Sequence, residues 1–305
     1  MIMEPMRTDL QGVALLPHLG VIRVQGEDAA AFLHGQLTQD FALLGDQQAR
    51  LAAFCSAKGR MLASCIGFKH SPSDILLVCS RDLLAPTLRR LSMFVMRAKA
   101  RLSDASEDFE LRGLAGLAGT DGAPWTLVRQ GAATLVRLYP ADGVARALWV
   151  APVGDAPPTG PHLDSAAWLH AEVRSGVATL SAPVVEAFVP QMLNYESVGG
   201  VNFKKGCYPG QEVIARSQFR GTLKRRAFVA HCSAAMAAGQ EIFSASDADQ
   251  PCATVVQAAA APGGGFDAIV SGQVAALQEP ELRLGSASGP PVQAQAAPYP
   301  LLEDL

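Results

Sequence analysis

The chain has 305 residues, more than one hydrophobic core usually holds, so its length predicts two or three domains. Apolar residues make up 49% of it and charged residues 17%, a composition that excludes an intrinsically disordered protein. The net charge of −3 excludes a nucleic-acid-binding protein whose whole surface is basic.

The cysteines and the first seven residues indicate the cellular compartment in which the protein works. Six cysteines are scattered along the chain, with no Cys-x-x-Cys pair and no Cys/His spacing typical of a zinc site. This pattern predicts reduced thiols, no disulfide framework and no bound metal. Residues 1–7 lack the apolar core of a signal peptide, and no apolar run reaches membrane-spanning length. We therefore expect a cytoplasmic protein that does not associate with membranes.

The first part of the chain predicts a mixed α+β region. A strand at residues 21–24 precedes a helix that Asp28 should cap. Residues 50–56 and 61–68 predict two strands of one hairpin, and residues 75–79 predict a third strand. The mixture of strands and helices favours the α+β class.

A second helix is expected from Asp82 through Val95, because leucines recur in it at helical spacing. Met93, Phe94 and Met96 fall at its end. Large apolar side chains are usually buried, so we expect these three in the core.

The rest of the chain predicts two further kinds of structure. Strands at 109–114 and 133–138 complete the α+β region, and the Pro/Gly-rich run 151–161 predicts a surface loop between domains. The helix after this loop carries Trp168. From residue 223 onward, short apolar runs alternate with Gly, Ser, Pro and Asp, which predicts a small antiparallel barrel or sandwich.

Residues 204–212, with the sequence KKGCYPGQE, place one thiol inside a turn. Gly206 and Gly210 can adopt positive φ and Pro209 fixes φ near the turn value, so the backbone is shaped to hold Cys207 in place. A helix that begins just beyond, with lysines nearby, would favour the thiolate. Cys207 is therefore the candidate reactive thiol. The cysteines expected in the core are Cys55, Cys65, Cys79, Cys232 and Cys252.

Basic residues cluster around the same turn. Residues 204–226 hold seven basic side chains and one acid, Glu212, which is a local charge of +6. The basic residues are Lys204, Lys205, Arg216, Arg220, Lys224, Arg225 and Arg226. Such a cluster is either a solvated face or a site for an anionic ligand, and its overlap with the Cys207 turn raises the second interpretation.

Other residues each allow two interpretations. Trp168, near a charged pair formed by Glu172 and Arg174, is either a core residue or an aromatic wall for a planar heterocycle. Glu212 either accepts a hydrogen bond from a ligand amine or stabilises the start of its helix. The histidines are expected to be structural, and none lies near Cys207 in the sequence to favour a Cys/His pair. The residues alone thus predict a pocket and leave its ligand unnamed.

Residues 204–216, KKGCYPGQEVIAR, resemble the K-G-C-Y-x-G-Q-E signature of the YgfZ-type folate-binding proteins, relatives of the glycine-cleavage aminomethyltransferase or T-protein. The resemblance covers most of residues 20–226. Further segments that resemble family motifs are 26–40, 57–60 (with Ser56 where an acid is usual), the helix of Trp168, Leu169 and Gly176, 188–194, and 219–221.

The resemblance implies an α+β fold in which three domains form a ring of the aminomethyltransferase type, with folate bound at its centre. The first, folate-binding domain would combine residues 1–45 with 162–222. The second, ferredoxin-like domain would span 46–161, and the C-terminal β-barrel would span 223–305. We expect a monomer.

The resemblance also implies a function. The family binds tetrahydrofolate and supports assembly or repair of iron–sulfur clusters in client enzymes, including enzymes that modify tRNA. By position, Cys207 is the functional thiol, Trp168 lines the folate pocket, and a second pocket tryptophan falls near Leu19. The basic stretch would face the polyglutamate tail of the folate. The other folate-binding residues expected are Gln191, Asn194, Lys205, Tyr208, Gln211, Glu212 and Arg220.

Two alternative functions remain. A folate-dependent aminomethyltransferase would need an acid in the pocket and a partner carrying a lipoyl arm, and no residue matches that enzyme's catalytic aspartate. Direct tRNA binding through residues 204–226 is less favoured, because only Tyr208 and Phe219 supply aromatic rings there.

Overall fold

The computed structural model describes residues 10–219, 223–244, 247–279 and 281–302. These ranges contain two five-stranded sheets, a closed six-stranded antiparallel barrel and five α-helices. The predicted α+β class with a C-terminal antiparallel barrel is confirmed. None of the helices in these ranges is both long and apolar enough to traverse a lipid bilayer.

The first sheet has the strand order β3-β4-β5-β2-β6, with every neighbouring pair antiparallel. Its strands are β2 (Leu19–Gln25), β3 (Ala49–Cys55), β4 (Met61–Ser71), β5 (Asp74–Ser80) and β6 (Arg101–Asp104). Because side chains alternate along a strand, β5 serves two cores. Leu76 and Val78 pack between the two sheets, whereas Ile75, Leu77 and Cys79 pack on the opposite face.

Two helices cover that opposite face of the first sheet. They are α1 (Ala29–His34) and α2 (Arg81–Ser92), and their buried side chains include Phe32, Leu33, Leu84 and Leu91. The apolar residues whose spacing predicts these helices are therefore the residues that face the sheet.

The expected capping role of Asp28 is wrong. Asp28 stands at the N-terminal end of α1, but its side chain makes no capping hydrogen bond. Its carboxylate instead accepts a hydrogen bond of 2.8 Å from the backbone N–H of Lys99. Asp28 therefore ties the start of α1 to a distant segment of the chain.

The expected burial of Met93, Phe94 and Met96 is also wrong. Helix α2 ends at Ser92, and these side chains are 72%, 43% and 87% exposed, respectively. Leu91 is buried against the sheet and Val95 is partly buried against the same core, whereas Met93, Phe94 and Met96 lie outside that core.

The second sheet has the order β1-β7-β10-β9-β8 and packs face to face with the first. Its strands are β1 (Gly12–Leu15), β7 (Phe109–Ala115), β8 (Leu127–Gln130), β9 (Ala133–Ala141) and β10 (Val144–Pro152). The core between the sheets also includes Trp168, on helix α3 (Ser165–Arg174). Helix α3 contacts the barrel as well, so it lies where all three parts of the fold meet.

The domain boundaries stay a prediction, and strand pairing crosses the boundary predicted at residue 45. Strand β2, from the expected first domain, pairs with β5 and β6 of the expected second domain. Strand β1 likewise pairs with β7. The sheets thus join residues on both sides of position 45.

The barrel closes in the order β11-β14-β13-β12-β15-β16. Its strands are β11 (Arg225–Cys232), β12 (Glu241–Ser244), β13 (Asp247–Ala260), β14 (Phe266–Gln273), β15 (Leu282–Leu284) and β16 (Pro291–Gln295). Helix α4 (Gln211–Phe219) precedes the barrel, and the short α5 (Val274–Leu277) follows β14. A further core, which includes Tyr195, Ile214 and Ile269, joins α4 and the barrel to the segment between α3 and α4.

Candidate functional site

Cys207 lies in an exposed turn directly before α4, whereas the other five cysteines are buried as expected. We call residues 204–210 the thiol turn. Gly210 has φ +81°, and a Cβ there would lie 2.5 Å from the carbonyl oxygen of Ser56, so this position needs glycine. Gly206 does not adopt positive φ. The thiol turn is thus fixed by close contact with the β3–β4 hairpin.

Lys205 belongs to the thiol turn, and its side chain is buried. Its ammonium group donates hydrogen bonds to the carbonyl oxygens of His34, Leu37 (3.0 Å) and Gly206 (3.3 Å). It also lies 4.4 Å from the centre of the Tyr208 ring. Burial lowers the pKa of Lys205 to about 8. Lys205 therefore fastens the thiol turn to the end of α1.

His34 and Asp40 lie beside the same turn. His34 Nδ1 is 3.0 Å from Asp40 Oδ1. Burial would raise the pKa of Asp40, but hydrogen bonds from the Leu43 N–H and from His34 hold that pKa below its usual value. A Cβ on Gly206 would lie 3.3 Å from His34 Nε2, so the other ring nitrogen faces the thiol turn. The fold thus places an oriented imidazole beside Gly206, the residue that precedes Cys207.

Trp168 lines a cavity between the two sheets. The side chain is 1% exposed, and it rests on Gly113, where a Cβ would come within 2.5 Å of the ring. Apolar and aromatic residues that share the cavity wall include Leu16, Leu19, Leu51, Ile66, Val78, Trp125, Leu138, Tyr139 and Leu148. Trp168 is therefore both a core residue and a cavity wall, the two interpretations that the sequence leaves open.

Glu172 is the main polar group of the cavity. Its Oε1 accepts a hydrogen bond of 2.8 Å from Trp168 Nε1 and lies 3.1 Å from His18 Nε2. Its Oε2 accepts a hydrogen bond of 3.0 Å from the Gln257 amide. Burial would raise the pKa of Glu172, but His18 and the charge of Arg146 hold that pKa below its usual value. Glu172 is thus a carboxylate at neutral pH.

Arg146 reaches the same cavity from β10 and is 3% exposed. Its guanidinium carbon lies 5.0 Å from the centre of the Trp168 ring, and its Nε donates to the Tyr139 carbonyl oxygen at 3.1 Å. Its Nη1 is buried and has no hydrogen-bond partner in the part of the chain that the structure describes. Burial lowers the pKa of Arg146 to about 10. An unpaired buried N–H group in a cavity wall is a position for a ligand acceptor.

The cavity is narrow, about 60 Å³, and it adjoins a wider groove of about 530 Å³. Glu172 and Thr179 belong to the walls of both. The groove is otherwise polar, with His18, Arg81 and Gln257 in its wall. A ligand of folate size would therefore need both spaces.

Leu19 lies in the cavity wall, at the position where the resemblance places a second tryptophan. The wall is aliphatic there. Trp125 and Tyr139 supply other aromatic surface, with ring centres 5.9 Å apart, and Trp125 Nε1 donates to the Val198 carbonyl oxygen at 2.8 Å.

The basic residues of 204–226 do not form one exposed surface. Lys205 and Arg226 are buried, and Arg226 pairs with Glu196 at 2.6 Å. Arg220 lies outside the described residues. Those that are exposed are Lys204, Arg216 and Lys224. The local charge of +6 in the sequence overstates the charge available to a ligand.

Gln191 and Asn194 are fully buried and bind other parts of the chain. The Gln191 amide donates to the Ile214 carbonyl oxygen at 2.7 Å, and its Oε1 has no partner among the described residues. Asn194, with φ +56°, donates to the Ala227 carbonyl oxygen at 2.9 Å and accepts from the Ala227 N–H at 3.2 Å. The two amides thus connect their segment to α4 and to the barrel.

The remaining expected folate-binding residues stay near the thiol turn. Tyr208 is 7% exposed, and burial raises its pKa. Gln211 and Glu212 begin α4, where Glu212 is exposed. In the described structure, none of these residues lines the cavity, and Trp168 is the member of the expected set that does. Folate binding by the others stays a prediction.

Sequence reasoning missed Arg146 and named Glu172 only as half of a charged pair near Trp168. Arg146 had a signal, because it is a lone charge in the apolar segment Val144–Pro152. Glu172 does not pair with Arg174, which instead binds Asp142 at 2.7 Å. Within the described ranges, no group of three or more His, Cys, Asp or Glu side chains could hold a metal ion.

Two curated relatives are both called tRNA-modifying protein YgfZ. The protein of Edwardsiella ictaluri is 30% identical over 223 residues, which covers 68% of this chain and 67% of the relative. The protein of Cronobacter sakazakii is 30% identical over 221 residues, which covers 66% of this chain and 65% of the relative. The chain thus spans about two thirds of the length of these relatives. No protein-family model matches it.

The structure is similar to the crystal structure of glycine cleavage system aminomethyltransferase T from Bartonella henselae. The TM-score is 0.69 and the match covers 97% of this chain and 87% of that one, at 15% sequence identity. This likeness confirms the predicted aminomethyltransferase-type fold. Taken with the two sequence matches, it shows that the chain belongs to the YgfZ family.

Proposed function

We propose that this protein is a cytoplasmic tetrahydrofolate-binding accessory protein that supports iron–sulfur enzymes, among them enzymes that modify tRNA. The observation that carries the proposal is an aromatic-walled cavity with an unpaired donor, Arg146 Nη1, in a protein that also exposes a single thiol, Cys207. The names of the YgfZ relatives support the connection to tRNA modification. Its partners would be iron–sulfur client enzymes or cluster-assembly proteins.

The cavity residues fit a pterin ring. Arg146 Nη1 can donate to a ring carbonyl or nitrogen. Glu172 already faces three polar groups, and a carboxylate has about four acceptor positions, so one remains for a ring N–H. Trp125, Tyr139 and Trp168 supply aromatic walls. Tetrahydrofolate, when bound, supplies a carrier of one-carbon units.

Cys207 is placed to react with a partner protein. It is exposed, and its turn is outside the cavity wall. A thiolate there can attack a disulfide of a client and release one of its sulfurs as thiolate, or bind a cluster iron in place of another ligand. One cysteine is too few to hold a four-ligand cluster, so the thiol would act in exchange rather than storage.

Two measurements test the proposal. Titration with tetrahydrofolate, followed by tryptophan emission, should show saturable binding. Cys207→Ser should abolish rescue of an iron–sulfur enzyme in cells that lack the protein, while folate affinity stays unchanged. Cys232→Ala, which removes a buried thiol of the barrel, is the control and should keep rescue. Full rescue by Cys207→Ser would exclude the thiol role, and lack of folate binding would exclude the cavity role.

Aminomethyl transfer is the alternative that the fold favours. The buried Glu172 carboxylate would supply the acid that such an enzyme needs in its pocket. Incubation with tetrahydrofolate and an aminomethyl-lipoyl donor decides between the two, because sustained methylene transfer would establish the alternative.

A further inference from the structure

We propose that residues 93–96, which we call the apolar tip, form a docking surface for an acidic partner protein together with the arginines around them. The proposal concerns the end of α2 and does not depend on the folate cavity or on Cys207.

The apolar tip exposes three large side chains close together in the chain. Met93 is 72% exposed, Phe94 43% and Met96 87%. Single exposed apolar residues are common, whereas a contiguous exposed group rimmed by polar residues marks an interaction site. Elsewhere in the described chain, exposed large apolar residues stand singly or in adjacent pairs.

The backbone of the apolar tip is held in one shape. The Phe94 N–H donates to the Leu91 carbonyl oxygen at 3.0 Å, and the Ala98 N–H donates to the Val95 carbonyl oxygen at 2.8 Å. Met96 has φ +40°, a backbone conformation that residues other than glycine rarely adopt. Such strain persists only where the surrounding structure enforces it, and it concentrates at functional positions.

The start of α1 fixes the backbone at Lys99, three residues after the apolar tip. The Lys99 N–H donates to the Asp28 carboxylate at 2.8 Å, and the Asp28 N–H donates to the Lys99 carbonyl oxygen at 3.2 Å. Gly26 allows this approach, because a Cβ there would lie 2.0 Å from the Lys99 carbonyl oxygen. The apolar tip is therefore preorganised, which lowers the entropic cost of binding.

Charge around the apolar tip identifies the kind of partner. Residues 83–103 contain five basic side chains and no acidic one, in a chain whose net charge is −3. All five are exposed: Arg89, Arg90, Arg97, Lys99 and Arg101. Of these, Lys99 already pairs with Glu27 at 2.9 Å. The four arginines remain to complement carboxylates, which guanidinium groups bind in a two-pronged geometry.

The composition favours a protein partner over RNA or a membrane. Met, Phe and Arg are enriched at protein interfaces and Lys is depleted, which matches a surface with four arginines and one lysine. Methionine side chains adapt to differently shaped partners. Binding of single-stranded RNA relies on several aromatic rings for base stacking, and the apolar tip has one, Phe94. Interfacial membrane helices place Trp, Phe or Leu along one helical face, whereas this apolar group follows the end of its helix.

The surface is distant from the groove. Arg81 and Asp82, at the start of α2, lie in the groove wall, and the apolar tip follows the other end of this helix. A helix of 12 residues is about 18 Å long. A partner docked at the apolar tip would therefore leave the groove open.

Fluorescence anisotropy with the full chain tests the proposal. The probes are short labelled peptides, each with a central Leu, Phe or Met flanked by Asp and Glu. We expect saturable binding that weakens with added salt, and a loss of about tenfold or more in the triple variant Met93→Ser/Phe94→Ser/Met96→Ser. The double variant Arg89→Gln/Arg90→Gln should also bind more weakly.

Matched variants keep the test specific. Leu43→Ser removes another exposed apolar side chain, 77% exposed, and Arg216→Gln removes an exposed arginine, so both should bind as the wild type does. Melting temperatures should agree among all variants. The proposal is overturned if no peptide binds at millimolar concentration, or if the triple variant binds equally well. It is also overturned if the triple change instead removes binding to bulk tRNA or to phosphatidylglycerol vesicles.

Discussion

Replacing Arg146 with methionine should stabilise the fold while it weakens folate binding. Burial lowers the pKa of Arg146 to about 10, well below the usual value for an arginine. At about 1.4 kcal/mol per pKa unit, the charged group costs roughly 3 kcal/mol in the folded protein. The variant loses one hydrogen bond to Tyr139 and the contact with the Trp168 ring, each about 1 kcal/mol. The net gain is about 1 kcal/mol, or roughly 1–2 °C in melting temperature for a chain of this size.

Calorimetry and folate titration measure the two effects separately. A hydrogen bond from a charged donor contributes about 1.5–3 kcal/mol, so tetrahydrofolate should bind about tenfold to hundredfold more weakly to Arg146→Met. Arg112→Met, on the adjacent strand β7, removes an arginine outside the cavity wall and is the control. A less stable Arg146→Met variant would show that Arg146 supports the fold. Unchanged affinity would show that its N–H does not meet the ligand.

Three further changes address the thiol turn and the cavity. Gly210→Ala should cost more than about 1 kcal/mol in unfolding free energy and change the alkylation rate of Cys207, because a Cβ would lie 2.5 Å from the Ser56 carbonyl oxygen. Gly143→Ala has the same φ of +81° with no atom within 4 Å, so equal losses in the two variants would refute the steric argument. The pKa of Glu172 is lower in the folded protein than its ordinary value of 4.5. The Glu172 carboxylate therefore stabilises the folded protein fully at pH values above 4.5, and this stabilisation is lost as the pH falls through the pKa of the folded state. Glu172→Gln should therefore flatten the acid side of a melting-temperature profile, and parallel profiles would contradict this. His34→Gln should slow alkylation of Cys207 severalfold if the imidazole acts as a base, and an equal rate would exclude that action.

The sequence predicts the thiol turn better than the cavity, for a physical reason. The chemistry of the thiol turn is local, since its glycines and proline are adjacent to Cys207. The cavity is assembled from positions far apart, such as Leu19, Ser64, Arg146 and Glu172. Their pairing depends on strand order, which no local pattern encodes. Trp168 was indicated by its residue type and by the resemblance, and Leu19 by the resemblance.

The elements were predictable where periodicity decides them and unpredictable at their ends. The strands of the β3–β4 hairpin and the barrel strands other than β16 follow from alternation and turn residues, whereas β16 begins at Pro291 and was not predicted. Apolar spacing predicts α2 through Val95, which does pack against the same core, although the helix itself ends at Ser92. The capping role predicted for Asp28 was wrong because local spacing does not reveal its hydrogen-bond partner Lys99, which lies 71 residues along the chain.

The thiol turn and the cavity touch different parts of one hairpin, so their functions should be separable. The turn of this hairpin contacts the thiol turn and α4, since a Cβ on Gly59 would lie 3.0 Å from Val213. Ser64 and Ile66, farther along β4, line the cavity. Gly59 precedes strand β4, which begins at Met61, and Ser64 lies about 10 Å farther along that strand at roughly 3.3 Å per residue. Cys207 is not among the residues of the cavity wall, so we expect coupling between a cavity ligand and Cys207 to pass through the hairpin or through a bound partner. Cavity variants should lose folate affinity with Cys207 alkylation unchanged, and thiol variants should do the reverse.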